Sequence, residues 1–127
     1  MENRVDTAIL TKLYEQAGPM MAATEVAEHL GITPLQVAEL RKNFGVISVW
    51  SGTEWLFPLF QFSGGTVSPL MRKVLFALRN VNPWSAIDHL LANDTAFGGA
   101  SLLDLVNCED EPSVDRILRQ INRDGFS

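Results

Sequence analysis

Cysteine is nearly missing from this chain: Cys108 stands alone among 127 residues. A single thiol excludes an intramolecular disulfide and any metal site built on several thiolates. It fits a reducing compartment, and burial is its expected state. Histidine is almost as scarce. His29 and His89 lie about sixty residues apart, and neither has a Cys, Asp or Glu around it at a ligand spacing such as H-E-x-x-H, so no metal site is expected. Asp88 and His89 are adjacent in a helical stretch and point in different directions, which removes them as an orienting acid and base pair, and no G-x-S-x-G nucleophile motif occurs. Ser63-Gly64-Gly65-Thr66 and Gly98-Gly99 lack the Lys and the flanking pattern of a phosphate-binding loop. The reading is therefore a non-enzyme with no catalytic residue, cofactor or metal. No apolar run approaches the ~20 residues of a membrane span. The N-terminus, with Glu2 and Asp6 close to Arg4, lacks a basic region followed by an apolar one, so a cytoplasmic protein away from membranes is expected. Internal repeats and low-complexity tracts are also lacking.

What is present is a globular composition, 46% apolar and 20% charged, in a chain long enough for one compact domain or two very small ones. Residues 23 to 42 carry the pattern of a helix-turn-helix. Ala27 is small where two helices cross, Gly31 can take the positive φ of a short inter-helix turn, and Thr33 can cap a helix that Pro34 starts. Val26, Leu30, Ile32, Val37 and Leu40 then form one apolar seam. An ordinary helical hairpin, which also wants a Gly at its turn, is the competing reading.

The surrounding sequence extends the pattern. A helix is expected from about Thr7 to Gln16, capped by Asp6 and stopped by Gly18-Pro19. After the two motif helices, Val46-Ile47-Ser48-Val49-Trp50 reads as a strand, Ser51-Gly52 as a hairpin turn and Thr53 to Phe57 as the return strand. Residues 6 to 57 thus resemble a winged helix-turn-helix. Ser63-Gly64-Gly65-Thr66 is the one stretch with the composition of a joint, which divides the chain into a winged helix-turn-helix domain over 1–62 and a small helical domain over 63–127. In the second part Ser68-Pro69 opens a helix to about Arg79 and Asn82-Pro83 another to Ala92. Asn93 to Ala100 is a loop by composition, Ser101 caps a short helix to Val106, and Pro112-Ser113 begin the last helix to about Arg123. The fold class expected is mainly α with a small β-hairpin.

The net charge of -5 weighs against nucleic acid, because DNA binding draws most of its affinity from Lys and Arg on phosphates. Charge is uneven, however. Arg41 and Lys42 end the second motif helix, Arg72, Lys73 and Arg79 follow, and acid concentrates at Glu109-Asp110-Glu111. If DNA is bound, Thr33, Gln36, Glu39, Arg41 and Lys42 lie toward the major groove, with Gln36 able to read adenine and Glu39 repelling phosphates. Trp50, beside the hairpin turn, is the surface candidate among the tryptophans and joins these residues as a DNA-binding candidate. Trp55 and Trp84 are expected to pack.

The run Trp55-Leu56-Phe57-Pro58-Leu59-Phe60-Gln61-Phe62, then Gly65, Val67 and Pro69, then Trp84, then Asp94 to Val106, resembles the Xre/MbcA/ParS-type antitoxin family over most of residues 24 to 106. Trp84, Phe97, Gly98-Gly99 and Leu103-Asp104-Leu105 match its toxin-binding signature. Phe97 stands at the usual Leu position, and Leu102 where Pro is common. The resemblance implies a toxin partner, often of the RES type that consumes NAD, blocked when the helical part covers or enters its cleft. Phe97, in a Gly-flanked loop, is itself a candidate anchor for a partner pocket. Arg116, Arg119 and Arg123, near helical spacing on the final helix, would reach acidic or phosphate-binding features; otherwise they form the solvated face of an amphipathic helix.

Three functions follow from these readings: an antitoxin-like or immunity protein whose N-terminal half binds operator DNA or has lost that ability, a DNA-binding transcription regulator, and an adaptor whose winged helix mediates protein contacts alone. A homodimer is expected under the first two.

Overall fold

The computed structural model describes residues 7–123. The cap expected from Asp6 lies outside them, as do the side chains of residues 7–10 and of Arg123. Among the described residues the chain is mainly helical, with seven α-helices and two small antiparallel sheets.

Helix α1 (Thr7–Ala17) ends at Gly18, whose φ of 82° turns the chain into strand β1 (Met20–Ala22). Helices α2 (Ala23–Leu30) and α3 (Pro34–Lys42) follow, then strands β2 (Val49–Trp50) and β3 (Trp55–Pro58). β3 is central, paired to β1 through Met21↔Phe57 and to β2 through Trp50↔Trp55, so the strand order is β1-β3-β2. The sheet thus has a third strand that the sequence pattern does not announce.

Strand β2 is shorter than the expected Val46–Trp50. Val46, Ile47 and Ser48 are buried but leave the ladder, because the side chain of buried Gln61 takes the backbone groups of Ile47 instead. The amide of Gln61 accepts from Ile47 N at 2.7 Å and donates to Ile47 O at 2.9 Å and Pro58 O at 3.0 Å. The hairpin connection spans Ser51 to Glu54, closed by Ser51 N donating to Glu54 O at 2.9 Å, so the return strand starts at Trp55 and not Thr53.

A 3-10 turn (Leu59–Gln61) leads through the Ser63–Thr66 turn to α4 (Pro69–Ala77) and α5 (Pro83–Leu91). The stretch expected as a loop carries structure: β4 (Asn93–Asp94) pairs with β5 (Ala100–Ser101) around a 3-10 turn (Thr95–Phe97) and two left-handed glycines, Gly98 and Gly99. Helices α6 (Leu102–Asn107) and α7 (Glu111–Arg123) complete the chain. Cys108 caps the C-terminal end of α6 and is exposed, which corrects the expectation of a buried thiol: it sits in a surface turn between exposed Asn107 and exposed Glu109.

One contiguous apolar core runs through the molecule, from Val26, Val37 and Phe57 to Val74, Leu90 and Val114. Helix α1 lies on α5, where Tyr14 meets Trp84 edge-on with ring centroids 5.0 Å apart and Gln16 Nε2 donates to Asp88 Oδ1 at 3.2 Å. Trp55 and Trp84 are half-buried against this core. Burial of this kind is the dominant favourable term in folding.

Candidate functional site

The turn between α2 and α3 is built from local chemistry. Gly31 sits in the left-handed region at φ 71°, and a doubled closure, Ile32 N to Ala27 O at 2.9 Å and Gly31 N to Glu28 O at 3.3 Å, satisfies carbonyls that the end of α2 would leave open. Thr33 then caps α3 reciprocally: Thr33 Oγ1 accepts from Gln36 N at 3.1 Å and Gln36 Oε1 accepts from Thr33 N at 2.9 Å. Val26, Ala27 and Val37 are buried where the helices meet.

The exposed side of α3 carries few features suited to a phosphate backbone. Leu35 is 72% exposed and shares a helical stripe with Glu39 and Lys42. Thr33 and Gln36 are exposed but occupied in the cap, and Arg41 is half-buried with its guanidinium 4.2 Å above the Trp55 ring. Trp50 is 53% exposed and meets Trp55 edge-on at 5.2 Å, so Arg41, Trp55 and Trp50 form one stack beside the hairpin. Residues 1–62 hold four Lys or Arg against seven Asp or Glu.

The helical part brings two expected residues together. Phe97, half-buried in the 3-10 turn and packed on the core, lies under Arg116, whose guanidinium is 5.2 Å from its ring. Arg119 lines a groove of about 420 Å3 between α4 and α7, along with Lys73, Phe76, Arg79 and Asn122. Arg123 belongs to α7, but its side chain is outside the described residues.

Phe76 and Arg79 were not singled out by sequence reasoning as partner contacts. Phe76 is 53% exposed, and Arg79 lies 4.0 Å over its ring while donating from Nη1 to Phe76 O at 2.9 Å. The signal that finds them is a phenylalanine on the face of α4 opposite the buried Met71, Val74 and Leu75, with an arginine three residues on. On the same groove Lys73 Nζ reaches Asp115 at 2.7 Å and Glu111 at 2.9 Å. The hydrogen bonds to Asp115 and then Glu111 hold its pKa above the ordinary lysine value.

His29 faces the Phe62 ring at 5.6 Å, and His89 is exposed on α5. Among the described residues no group of three or more His, Cys, Asp or Glu is placed to hold a metal ion, and no helix is long and apolar enough to cross a membrane. No known family, no characterised protein and no solved structure matches this chain.

Proposed function

We propose that the protein binds and silences another protein, as an antitoxin-like or immunity protein whose helical part, residues 63–127, grips the partner. The observation that carries this reading is Phe76, 53% exposed with Arg79 stacked on its ring, at the mouth of a groove that Arg119 also lines. Aromatic and arginine side chains dominate binding hot spots, and here Phe76, Arg79 and Arg119 line one concave surface. Phe97 under Arg116 adds a second aromatic and arginine pair. The partner is a toxin in the sense of the antitoxin resemblance, a RES-type enzyme being one such toxin, and the assembly is built on a homodimer.

Residues 6–57 are read as a winged helix-turn-helix. The order helix, strand, helix, helix, strand, strand and the sheet order β1-β3-β2 support that reading. Operator DNA is a second reading, and exposed Lys42 at the end of α3 favours it. The acid excess over residues 1–62 and Glu39 on the outer stripe of α3 weigh toward protein contacts in its place.

Co-expression with the product of the neighbouring gene tests the proposal. That product is toxic alone, harmless with this protein present, and co-purifies with it. Phe76→Ala and Arg119→Glu each weaken the complex by about tenfold or more, the effect of losing a hot-spot side chain. A harmless neighbour and no complex overturn the proposal. Binding to the upstream DNA that falls steeply with rising salt, with no protein partner, establishes the regulator instead.

A further inference from the structure

A second cavity lies on the other side of Arg79, between the α3 and hairpin region and helices α4 and α5. Its volume is about 200 Å3, and its walls are apolar, with Val46, Ile47, Leu75, Leu78, Val81 and Trp55 contributing. Two charged side chains reach it, Arg41 and Arg79, both cationic. The ion pairs among the described residues engage Lys73, and neither of these arginines has a carboxylate partner there. Ser48, buried to 7% exposure, lines the same cavity. The hydrogen bonds around it run between Gln61, Ile47 and Pro58 and leave the Ser48 hydroxyl without a partner among the described residues.

We propose that this cavity is a binding site for a small apolar carboxylic acid, a single-ring aromatic or short branched aliphatic one. A dry cavity of about 150 Å3 accepts benzene, so a cavity of about 200 Å3 has room for one ring or a branched chain with its acid group. A neutral hydrocarbon would leave the guanidiniums and the serine hydroxyl unused. A carboxylate takes charge-assisted hydrogen bonds from the planar guanidinium fork, and the spare hydroxyl can donate to it as well. Arg41 is already held 4.2 Å over Trp55 on the cavity wall, so it loses little side-chain freedom when a ligand arrives, while Arg79, which spends Nη1 on Phe76 O, has its remaining N–H groups to offer. Arg79 lines both this cavity and the groove of the protein-partner reading, so the two are told apart at Arg41, Ser48 and Trp55, which line this cavity alone.

The test is titration of the intact protein with benzoate, with benzyl alcohol as the neutral match and acetate as the charge without the ring. Binding is read from Trp fluorescence and from backbone amide shifts of Ser48 and Val81. Benzoate gives saturable shifts at both amides and binds at least tenfold more tightly than either control. Arg41→Gln and Arg79→Gln, each checked for an unchanged far-ultraviolet circular dichroism spectrum, weaken benzoate by about tenfold and leave the benzyl alcohol response as it was. Equal binding of benzoate and benzyl alcohol overturns the proposal, as does benzoate binding that survives both substitutions. The absence of saturation by benzoate and by 3-methylbutanoate up to about 10 mM also overturns it. A free peptide C-terminus ending in Phe that binds far more tightly than either acid moves the site to a protein ligand and overturns the small-molecule assignment.

Discussion

Gln61 clasps Ile47 from fourteen residues away, its carboxamide oxygen accepting from the Ile47 N–H at 2.7 Å and its nitrogen donating to the Ile47 carbonyl at 2.9 Å. An amide side chain in this position imitates a neighbouring strand. It closes the hydrogen bonding of a buried segment that has no strand beside it.

Replacing Gln61 by Leu keeps the volume and removes the clasp, which leaves a buried N–H and carbonyl unpaired. The expected loss is roughly 2–4 kcal/mol of unfolding free energy in urea titrations. Gln61→Glu is worse at neutral pH, because a carboxylate then faces the carbonyls of Ile47 and Pro58 where an N–H stood. A change below about 0.5 kcal/mol for Leu would mean that the clasp contributes nothing.

Gly31→Ala isolates backbone strain from steric clash. A Cβ built there meets nothing within 4 Å, yet φ is 71°, so the cost is that of a left-handed alanine, about 1–2 kcal/mol. Gly31→Asn costs less, since Asn tolerates this region. Urea midpoints of the two variants, compared at unchanged slope, check the order.

Lys73 gives a pH dependence of known sign. Its folded pKa is raised by Asp115 and Glu111, so the stability it contributes is complete below the unfolded lysine value and is lost as pH rises through the higher folded one. The loss therefore falls in strongly alkaline solution. Lys73→Met flattens that part of the stability curve, and NMR titration of the Lys73 side chain places its midpoint above the ordinary lysine value. The side chain is in solvent, and the effect is correspondingly small.

Cys108 is exposed at the end of α6, and it reacts with a maleimide in the folded protein without denaturant. One label per chain is expected, at a rate close to that measured in urea. Labelling that needs denaturant would return the thiol to the interior.

Much of the architecture was legible because it is written in four-residue units. Thr33, Ser68, Asn82 and Ser101 all accept from backbone N–H groups at the starts of α3, α4, α5 and α6. Caps of this kind depend on neighbours along the chain, which a sequence displays directly. Strand β1 was invisible for the opposite reason. Met20-Met21-Ala22 has no β-branched residue, and it is extended because β3, more than thirty residues later, offers it a ladder. The truncation of β2 has the same kind of cause, since it is decided by Gln61. At the candidate site, the exposed Trp50 and the spacing of Arg116 and Arg119 could be read from pattern, but the pairing of Arg116 with Phe97 and of Arg79 with Phe76 required coordinates. Stacking partners are chosen by how helices cross, and no local rule encodes that.

The meeting of Tyr14 with Trp84, and of Gln16 with Asp88 at a separation of 72 positions, sets a schedule for the chain's birth. At about 5–20 residues per second on the ribosome, the opening helix waits roughly 4–14 s for the segment that shelters its aromatic side chain. Nascent chains halted in that interval carry an orphaned amphipathic helix, which makes them natural clients for chaperones and proteases long before any partner could rescue them.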